Sequence, residues 1–533
     1  MVSTVPHTTL PALFDRSATR YPDNEAIDGT TYSQLQAWIH QYAAGLKAEG
    51  ISRGDAVCLL FGSKSMHAAA LAMAIMRVGA IYVPLSPSFP KERLCGQCQT
   101  VAGNSTLALL IYGVEENDRL KAQSVSDEMN IRIRPQQALV SGSTDNEDMS
   151  SINDQGMLLF TSGSSGPPKA IVYRHRQLAI ALQAPAKAFD FDHKTRVCNV
   201  VPYVWDGGNF DLFGPLITGS CVRFCHEITP DGVAKTILED NCSWALLPPS
   251  VIATMPFEAL SRLSMLVSGG ESASVAQFRA WSSQLAQMSN TRLVNAYGLT
   301  ESGIINSIWE CPSQMSDGMT TVPIGRPFAN NHMEIVPDTN ELVVIGPQVA
   351  DGYLGTASGS ATFIQPPSTF SKDHMAVRTG DEAREDEDNQ VHIVGRLDDQ
   401  ICISAVRIEP AESEAAACSL PEIDFAHVFT LKLSDNDLPA LVLAYHVRDA
   451  VSSHQNGPLT KDEYEQYRGS HEGQIRQRMA ETVPGYQYPS AYFPLKSIPR
   501  TISSKKDANQ IARWAEEALA QGLMTFEPFS LDV

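Results

Sequence analysis

The chain has 533 residues, with 40 Lys+Arg against 60 Asp+Glu and a formal net charge of −20. That balance excludes an extended nucleic-acid backbone as partner, because nucleic-acid binders concentrate positive charge; a small anion such as ATP needs only a local site. Hydrophobic residues make up 43% and charged residues 19%, a globular balance that excludes disordered, collagen-like and disulfide-scaffold chains. The length allows about three or four domains and a large core without staples. Ten cysteines lie mostly in apolar settings, such as Cys58 in AVCLLF and Cys402 in QICISA. They read as reduced core residues of a cytoplasmic protein. Residues 1–13 have neither a basic n-region nor an apolar h-region, so no secretory signal is expected. The longest apolar run, His67 to Met76, stops at Arg77 and is too short to span a bilayer.

In chain order, residues 33–49 carry apolar residues at helical spacing, with Gly50 as C-cap. Ala56–Phe61 reads as a strand, 65–79 as a buried helix and Ala80–Pro84 as a strand. Residues 141–154 are polar and turn-rich, a loop before the strand Met157–Phe160. Further strands are expected at Arg196–Pro202, Trp244–Leu247, Ser264–Val267 and Arg292–Ala296. This alternation predicts layered α/β architecture around parallel sheet. Residues 319–395, with short alternating runs such as Glu341–Ile345, predict a small β-rich subdomain. Beyond Gly395, a strand over Cys402–Ile408, a helix over Pro410–Ala417 and a strand over Ala440–Val447 predict a small α+β lid. The fold expected is therefore α/β, with a core over 1–396 and a C-terminal domain over 397–533.

Four segments carry chemistry. In LLFTSGSSGPPK, Leu158–Lys169, a strand runs into small and hydroxylated residues. Gly163 and Gly166 free the backbone to expose N–H groups, and Thr161, Ser162, Ser164 and Ser165 add hydroxyls that could wrap a phosphate. It is not a Walker A loop, because Pro168 and Ala170 flank Lys169. Composition alone also allows a flexible Ser/Gly surface loop. In VNAYGLTES, Val294–Ser302, an aromatic can stack on a base and a carboxylate can hold Mg²⁺. RTGD, Arg378–Asp381, offers a turn-borne carboxylate to a diol, and GRLDDQICISAVRIEPAE follows at Gly395–Glu412.

In this order and at these separations the segments resemble the adenylate-forming superfamily, most closely the amino-acid adenylation domains of nonribosomal peptide synthetases. The resemblance runs from about Leu10 to Ile511 and includes GTTYSQL at 29–35 and MRVGAIYVPLSPSFPKERL at 76–94. It implies two half-reactions. A carboxylate attacks the α-phosphate of Mg-ATP, releasing pyrophosphate; a carrier-protein phosphopantetheine or CoA thiol then takes the acyl group. It implies that the loop 161–169 covers the β,γ-phosphates, with Lys169 as a point charge. Asn295, Ala296, Tyr297 and Gly298 would hold adenine, Thr300 would touch the α-phosphate, and Glu301 would ligate Mg²⁺. Asp381 would take the ribose hydroxyls, with Arg396 at the same end, and Asp398 would be the hinge. Lys505 in PRTISSKKD is implied as the catalytic lysine, with Lys506 as the fallback. His175 stands where the family often has a histidine; it also reads as an ordinary helix-start residue.

For the substrate, VWDGGNFDLFGPLITG at Val204–Gly219 aligns Asp206 with the aspartate that amino-acid adenylation domains pair with the substrate ammonium. Asp211 as the aligned residue, or Asp206 as a turn cap, are the alternatives. The same alignment lines the side-chain pocket with Gly207, Phe210, Leu246, Val267, Gly269, Ala296, Ile304 and Ile305. A roomy apolar pocket suits a large hydrophobic side chain.

The chain departs from the family at Cys402-Ile403-Ser404-Ala405, where Lys-Ile-Arg-Gly is usual, and at Ala170, Val377 and Ser503-Ser504. The first change bears on the thiol step. The 28 residues after Lys505 are too few for a carrier domain, so a carrier is expected in trans or in a larger synthetase; the Met1-Val2 start and the acidic end favour a free-standing enzyme. Cys95/Cys98 and Cys221/Cys225 together would make a tetrathiolate zinc site, or four buried thiols. The competing functions are an acyl- or aryl-CoA or amide ligase of the same fold, and a non-catalytic scaffold.

Overall fold

Thr31 sets the start of the helix Tyr32–Ala48 by a reciprocal cap. Its hydroxyl accepts from the Gln34 N–H, and the Gln34 side chain accepts from the Thr31 N–H. Leu35, Ile39, Tyr42, Ala43 and Leu46 then fall on one buried face. The neighbouring helix Met66–Arg77, capped by Ser65, is buried from Ala68 to Arg77, which explains its apolar sequence all round. These elements belong to a computed structural model that describes residues 8–161, 168–316, 318–328, 331–355, 362–371, 374–398, 400–403, 406–431, 439–448, 461–499, 506–524 and 526.

The described chain divides into two compact units. The first holds residues 8–87, 97–161 and 169–398; the second holds 88–96, Pro168 and the residues from Gln400 onward. Three sheets build the first unit. A six-stranded sheet runs in the order Ile133–Pro135, Leu107–Tyr112, Ala56–Leu60, Ile81–Leu85, Gln155–Thr161, Lys169–Arg174, parallel except for its last pair. A nine-stranded sheet has parallel pairing from Arg292–Tyr297 through Met265–Gly269, Trp244–Leu247, Arg196–Asn199 and Cys221–Phe224 to Glu25–Ile27. A five-stranded antiparallel sheet holds Glu341–Gly346, Met375–Glu385 and Val391–Arg396. The α/β class expected from the alternation is the class observed.

The nine-stranded sheet is covered on both faces, which is why its strands are short aliphatic runs. Val267, Val294 and Ala296 point into one apolar cluster with Phe210. Leu247, Leu266 and Leu293 point into another on the opposite face, following the two-residue alternation of a strand.

The second unit pairs Ile401–Ile403 with Val406–Ile408 and sets a three-stranded sheet, Ile423–Leu431, Ala440–Val447 and Ala491–Leu495, around Tyr464, Phe493, Ile511 and Trp514. The single strand expected over Cys402–Ile408 is thus two antiparallel strands. The 22-residue helix Lys461–Thr482 had no counterpart in the sequence reading; KDEYEQYRGSHEGQIRQRMAET shows no apolar stripe.

The cysteine pairs do not converge as the zinc reading required. Cys98 lies against Cys58, and the Cys225 thiol donates to the Glu227 carbonyl at 3.1 Å. Among the described residues no cluster of three or more His, Cys, Asp or Glu could hold a metal ion. Among them, too, no helix is long and apolar enough to cross a membrane.

Two predictions follow from packing and burial. A Cβ on Gly208 would stand 2.2 Å from the Pro202 carbonyl oxygen and 2.6 Å from that of Val201, both backbone. Gly208→Ala should therefore destabilise the first unit by about 1–3 kcal/mol in urea unfolding. His175 begins the helix His175–Ala188 fully buried, with the Leu10 N–H at 3.4 Å from Nδ1. Burial lowers its pKa from an ordinary 6.5 to about 4. The unfolded chain then binds the proton that the fold refuses. This residue's contribution is complete above 6.5 and drains as the pH falls towards about 4. Between pH 7 and 5 the loss should be about 2 kcal/mol, and His175→Phe should flatten that slope.

Candidate active site

The parallel strands end together, and their register fixes which side chains meet. Leu246 pairs with Val267, and Gly269 with Ala296. A Cβ on Gly269 would lie 3.1 Å from Leu246 Cδ1 and 3.6 Å from Ala296 Cβ; one on Gly207 would lie 3.8 Å from Leu246 Cδ2. Gly207, Leu246, Gly269 and Ala296 therefore form one apolar patch with little side-chain bulk, the candidate recess for a substrate side chain. Phe210, one turn beyond Asp206, is fully buried among Phe189, Phe191 and Trp244 at centroid distances of 6.0 Å.

Asp206 is the first residue of the helix Asp206–Leu216, where a carboxylate complements the helix dipole. Its Oδ1 accepts from the Gly207 N–H at 2.7 Å and its Oδ2 from the Thr300 hydroxyl at 2.9 Å. Burial raises its pKa against the pull of these two bonds. A half-buried carboxylate in this state gains from a cation placed against it. Asp211, the alternative, sits inside the same helix, where neither carboxylate oxygen accepts a hydrogen bond from the described residues. Burial pushes its pKa far up, opposed by the charge of Lys64. Asp211 is thus enclosed within the protein with the charge of Lys64 acting on it, whereas Asp206 faces Thr300.

The turn after the strand Arg292–Tyr297 is tightly built. A Cβ on Gly298 would come within 1.9 Å of the Ile304 carbonyl oxygen. Ile304 has φ +71, a left-handed conformation costly for a β-branched residue. Ile304 and Ile305 are both buried in the cluster that holds Val267 and Ala296. The Tyr173 hydroxyl donates to the Thr300 carbonyl and accepts from the Gly303 N–H. Glu301 is 2% exposed and accepts from the Tyr353 hydroxyl at 3.1 Å. Mg²⁺ commonly takes one or two carboxylates plus phosphate oxygens, and Glu301 fits that role.

Thr161 and Lys169 face each other across the antiparallel pair Gln155–Thr161 and Lys169–Arg174. Between them, Ser162, Gly163, Ser164, Ser165 and Gly166 lie outside the described residues, as does Lys505. The exposed Lys169 ammonium stands 5.4 Å from the Tyr353 ring centroid, a cation–π contact. Tyr353 thus touches both the lysine and Glu301.

At the other side, the Asn295 amide donates to the Pro323 carbonyl at 2.8 Å. The Tyr297 hydroxyl donates to Asp381 Oδ2 at 2.6 Å, and Arg396 Nη1 to Asp381 Oδ1 at 2.8 Å. Burial, reinforced by Asp381, keeps the Tyr297 phenol protonated. Arg396 also pairs with Asp398 at 2.6 Å. The structure thus brings Tyr297, Asp381, Arg396 and Asp398 into one chain of contacts, and Asp206 and Thr300 into another. The sequence reading missed Tyr173 and Tyr353. Each is a lone aromatic in a short apolar or turn segment, with no local signal beyond that.

A family model described as AMP-binding enzyme matches residues 14–354. A nonribosomal peptide synthetase of Emericella nidulans is 28% identical over 98% of this chain, which spans 8% of that protein's length. The chain spans 21% and 19% of two further curated relatives. A solved NRPS protein containing adenylation and PCP domains, bound to a vinylsulfonamide inhibitor, gives a TM-score of 0.77 at 21% identity, covering 96% of this chain and 85% of that one. The o-succinylbenzoate CoA synthetase of Bacillus subtilis gives 0.75 at 17% identity, covering 95% and 99%.

Thr300→Val removes the hydroxyl that bonds Asp206 without changing side-chain volume. By carboxyl NMR titration, with Asp206→Asn for assignment, the Asp206 pKa should rise further.

Proposed function

Since the chain belongs to the AMP-binding enzyme family and is an adenylate-forming ligase, we propose that it activates an α-amino acid with a large hydrophobic side chain and passes it to the phosphopantetheine thiol of a carrier protein. The observation that carries this reading is Asp206, a half-buried carboxylate bonded to Thr300 beside the Gly207–Leu246–Gly269–Ala296 recess. The carboxylate would hold the substrate ammonium and the recess its side chain.

In the first half-reaction a substrate carboxylate oxygen attacks the α-phosphorus of ATP. The bond to pyrophosphate breaks, and the aminoacyl-adenylate forms. Charge develops on the phosphates, so fixed donors and cations there lower the barrier. Thr161, Ser162, Gly163, Ser164, Ser165, Gly166 and Lys169 would cover the β,γ-phosphates, and Thr300 would contact the α-phosphate. Glu301 would hold Mg²⁺, which neutralises phosphate charge when bound. Asn295, Ala296, Tyr297 and Gly298 would take adenine, and Asp381 the ribose, with Arg396 fixing its carboxylate. Lys505 is the proposed catalytic lysine. Its neighbour Lys506 lies 3.1 Å from His427 Nδ1, beside Glu414, an engagement that favours Lys505. In the second half-reaction a thiol sulfur attacks the acyl carbon, losing its proton as AMP leaves. Asp398 is the proposed hinge between a core over 1–396 and a lid over 397–533. The protein would act in the cytoplasm, without nucleic acid or membrane.

Cys402, where the family has Lys, bears on the thiol step; the alternative reading is an acyl- or aryl-CoA or amide ligase of the same fold. Comparing carrier thiol, CoA and free amine as acceptors of the formed adenylate separates the two.

Pyrophosphate release with Mg-ATP across the twenty amino acids and their des-amino counterparts tests the substrate. Large apolar amino acids should respond and their des-amino partners should not. Asp206→Ala should cut that preference by about tenfold or more, the effect of losing a buried charge partner. A response to des-amino acids alone in the unaltered chain would overturn the amino-acid reading.

A further inference from the structure

Glu341 opens the strand Glu341–Gly346 and is only 5% exposed, an uncommon place for a carboxylate unless it is fully paired. Both oxygens are engaged. Oε2 accepts from Arg378 through Nε at 2.7 Å and also through Nη2. Oε1 accepts from the Gly380 N–H at 3.1 Å. The next residue continues the grip: the Thr379 hydroxyl donates to the Leu342 carbonyl at 2.8 Å and accepts from the Asp381 N–H at 3.0 Å.

The strand register explains why a side chain is needed. Val343 pairs with Arg378, yet Glu341 pairs with Glu382, so the ladder is interrupted between them. A regular antiparallel step would have placed Glu341 opposite Gly380. The interruption bulges the residues 379–381, and there the Glu341 carboxylate accepts the Gly380 N–H. Bulges of this kind re-aim side chains beside functional sites. Gly380 is at φ +72, and Arg396 Nη2 and Asp398 Oδ2 stand 2.8 and 3.1 Å from where its Cβ would be. The bulge is thus closed from both sides, and Asp381 is the side chain it presents.

We propose that Glu341 is a positioning residue for nucleotide binding: it holds the bulge over residues 379–381 so that the Asp381 carboxylate meets the ribose hydroxyls. The proposal rests on Asp381 being the ribose acceptor.

The test is calorimetric binding of ATP and of 2′,3′-dideoxy-ATP to the full chain, with Glu341→Ala and Glu341→Gln. The unaltered chain should prefer ATP. Glu341→Ala should weaken ATP by about tenfold or more, as loss of a charged buried acceptor implies. The dideoxy analogue, which cannot use Asp381, should change by less than about twofold, so the preference collapses. Glu341→Gln keeps an acceptor for the Gly380 N–H and should recover part of it; it also carries the test if the alanine variant does not fold. Pyrophosphate release at saturating ATP should be unchanged. Equal losses for both nucleotides, or an intact preference in both variants, would overturn the proposal. No preference in the unaltered chain would instead remove Asp381 as ribose acceptor, and this inference with it.

Discussion

The hydrogen bond from the Thr300 hydroxyl to Asp206 ties together two segments 94 residues apart. One is the start of a helix; the other is the tight turn that follows a parallel strand. Everything around the bond holds one of these two in place. Gly207 and Gly208 let the helix start lie close to residues 201–202. Tyr173 clamps the turn from a different sheet through the Thr300 carbonyl and the Gly303 N–H. The buried Glu301 sits between the same residues and is reached by Tyr353. Partial burial of the Asp206 carboxylate is costly, and the protein offsets only part of that cost. The remainder is what a bound cation can recover.

The second pole of the site is organised by charge alternation. Glu341 pairs with Arg378, and three residues further on Asp381 shares Arg396 with Asp398. Tyr297 joins this set at Asp381 while its own strand carries Ala296 into the recess. Consecutive residues of one strand thus serve the two poles, because successive side chains point to opposite faces.

Much of this was legible in the sequence where local pattern and tertiary need coincide. Trp244–Leu247 is an aliphatic run that can only be a covered parallel strand, and its bounds were read correctly. Leu246, Val267, Gly269 and Ala296 fall together because alternation and register put them on one face. What was hidden is what depends on partners far along the chain. Lys461–Thr482 has no apolar stripe, so its helix was not visible. Cys402–Ile408 looked like one strand because a continuous β-prone run does not show where it doubles back. Glu341 read as part of an alternating strand; that its carboxylate holds the Gly380 N–H at a bulge follows only from the register shift. Tyr173 and Tyr353 gave no sign of the hydroxyl contacts they make.

The recess has two glycines, and they differ in the space beyond them. At Gly207 an added methyl group would meet Val201 and Leu246 only at ordinary contact distance, 3.6 Å and beyond. At Gly269 it would press on Leu246 Cδ1 at 3.1 Å and on the Ala296 carbonyl at 3.3 Å, which belongs to a strand that cannot yield. The helix side of the recess can therefore accept drift, one carbon at a time, while the sheet side is frozen by its own ladder.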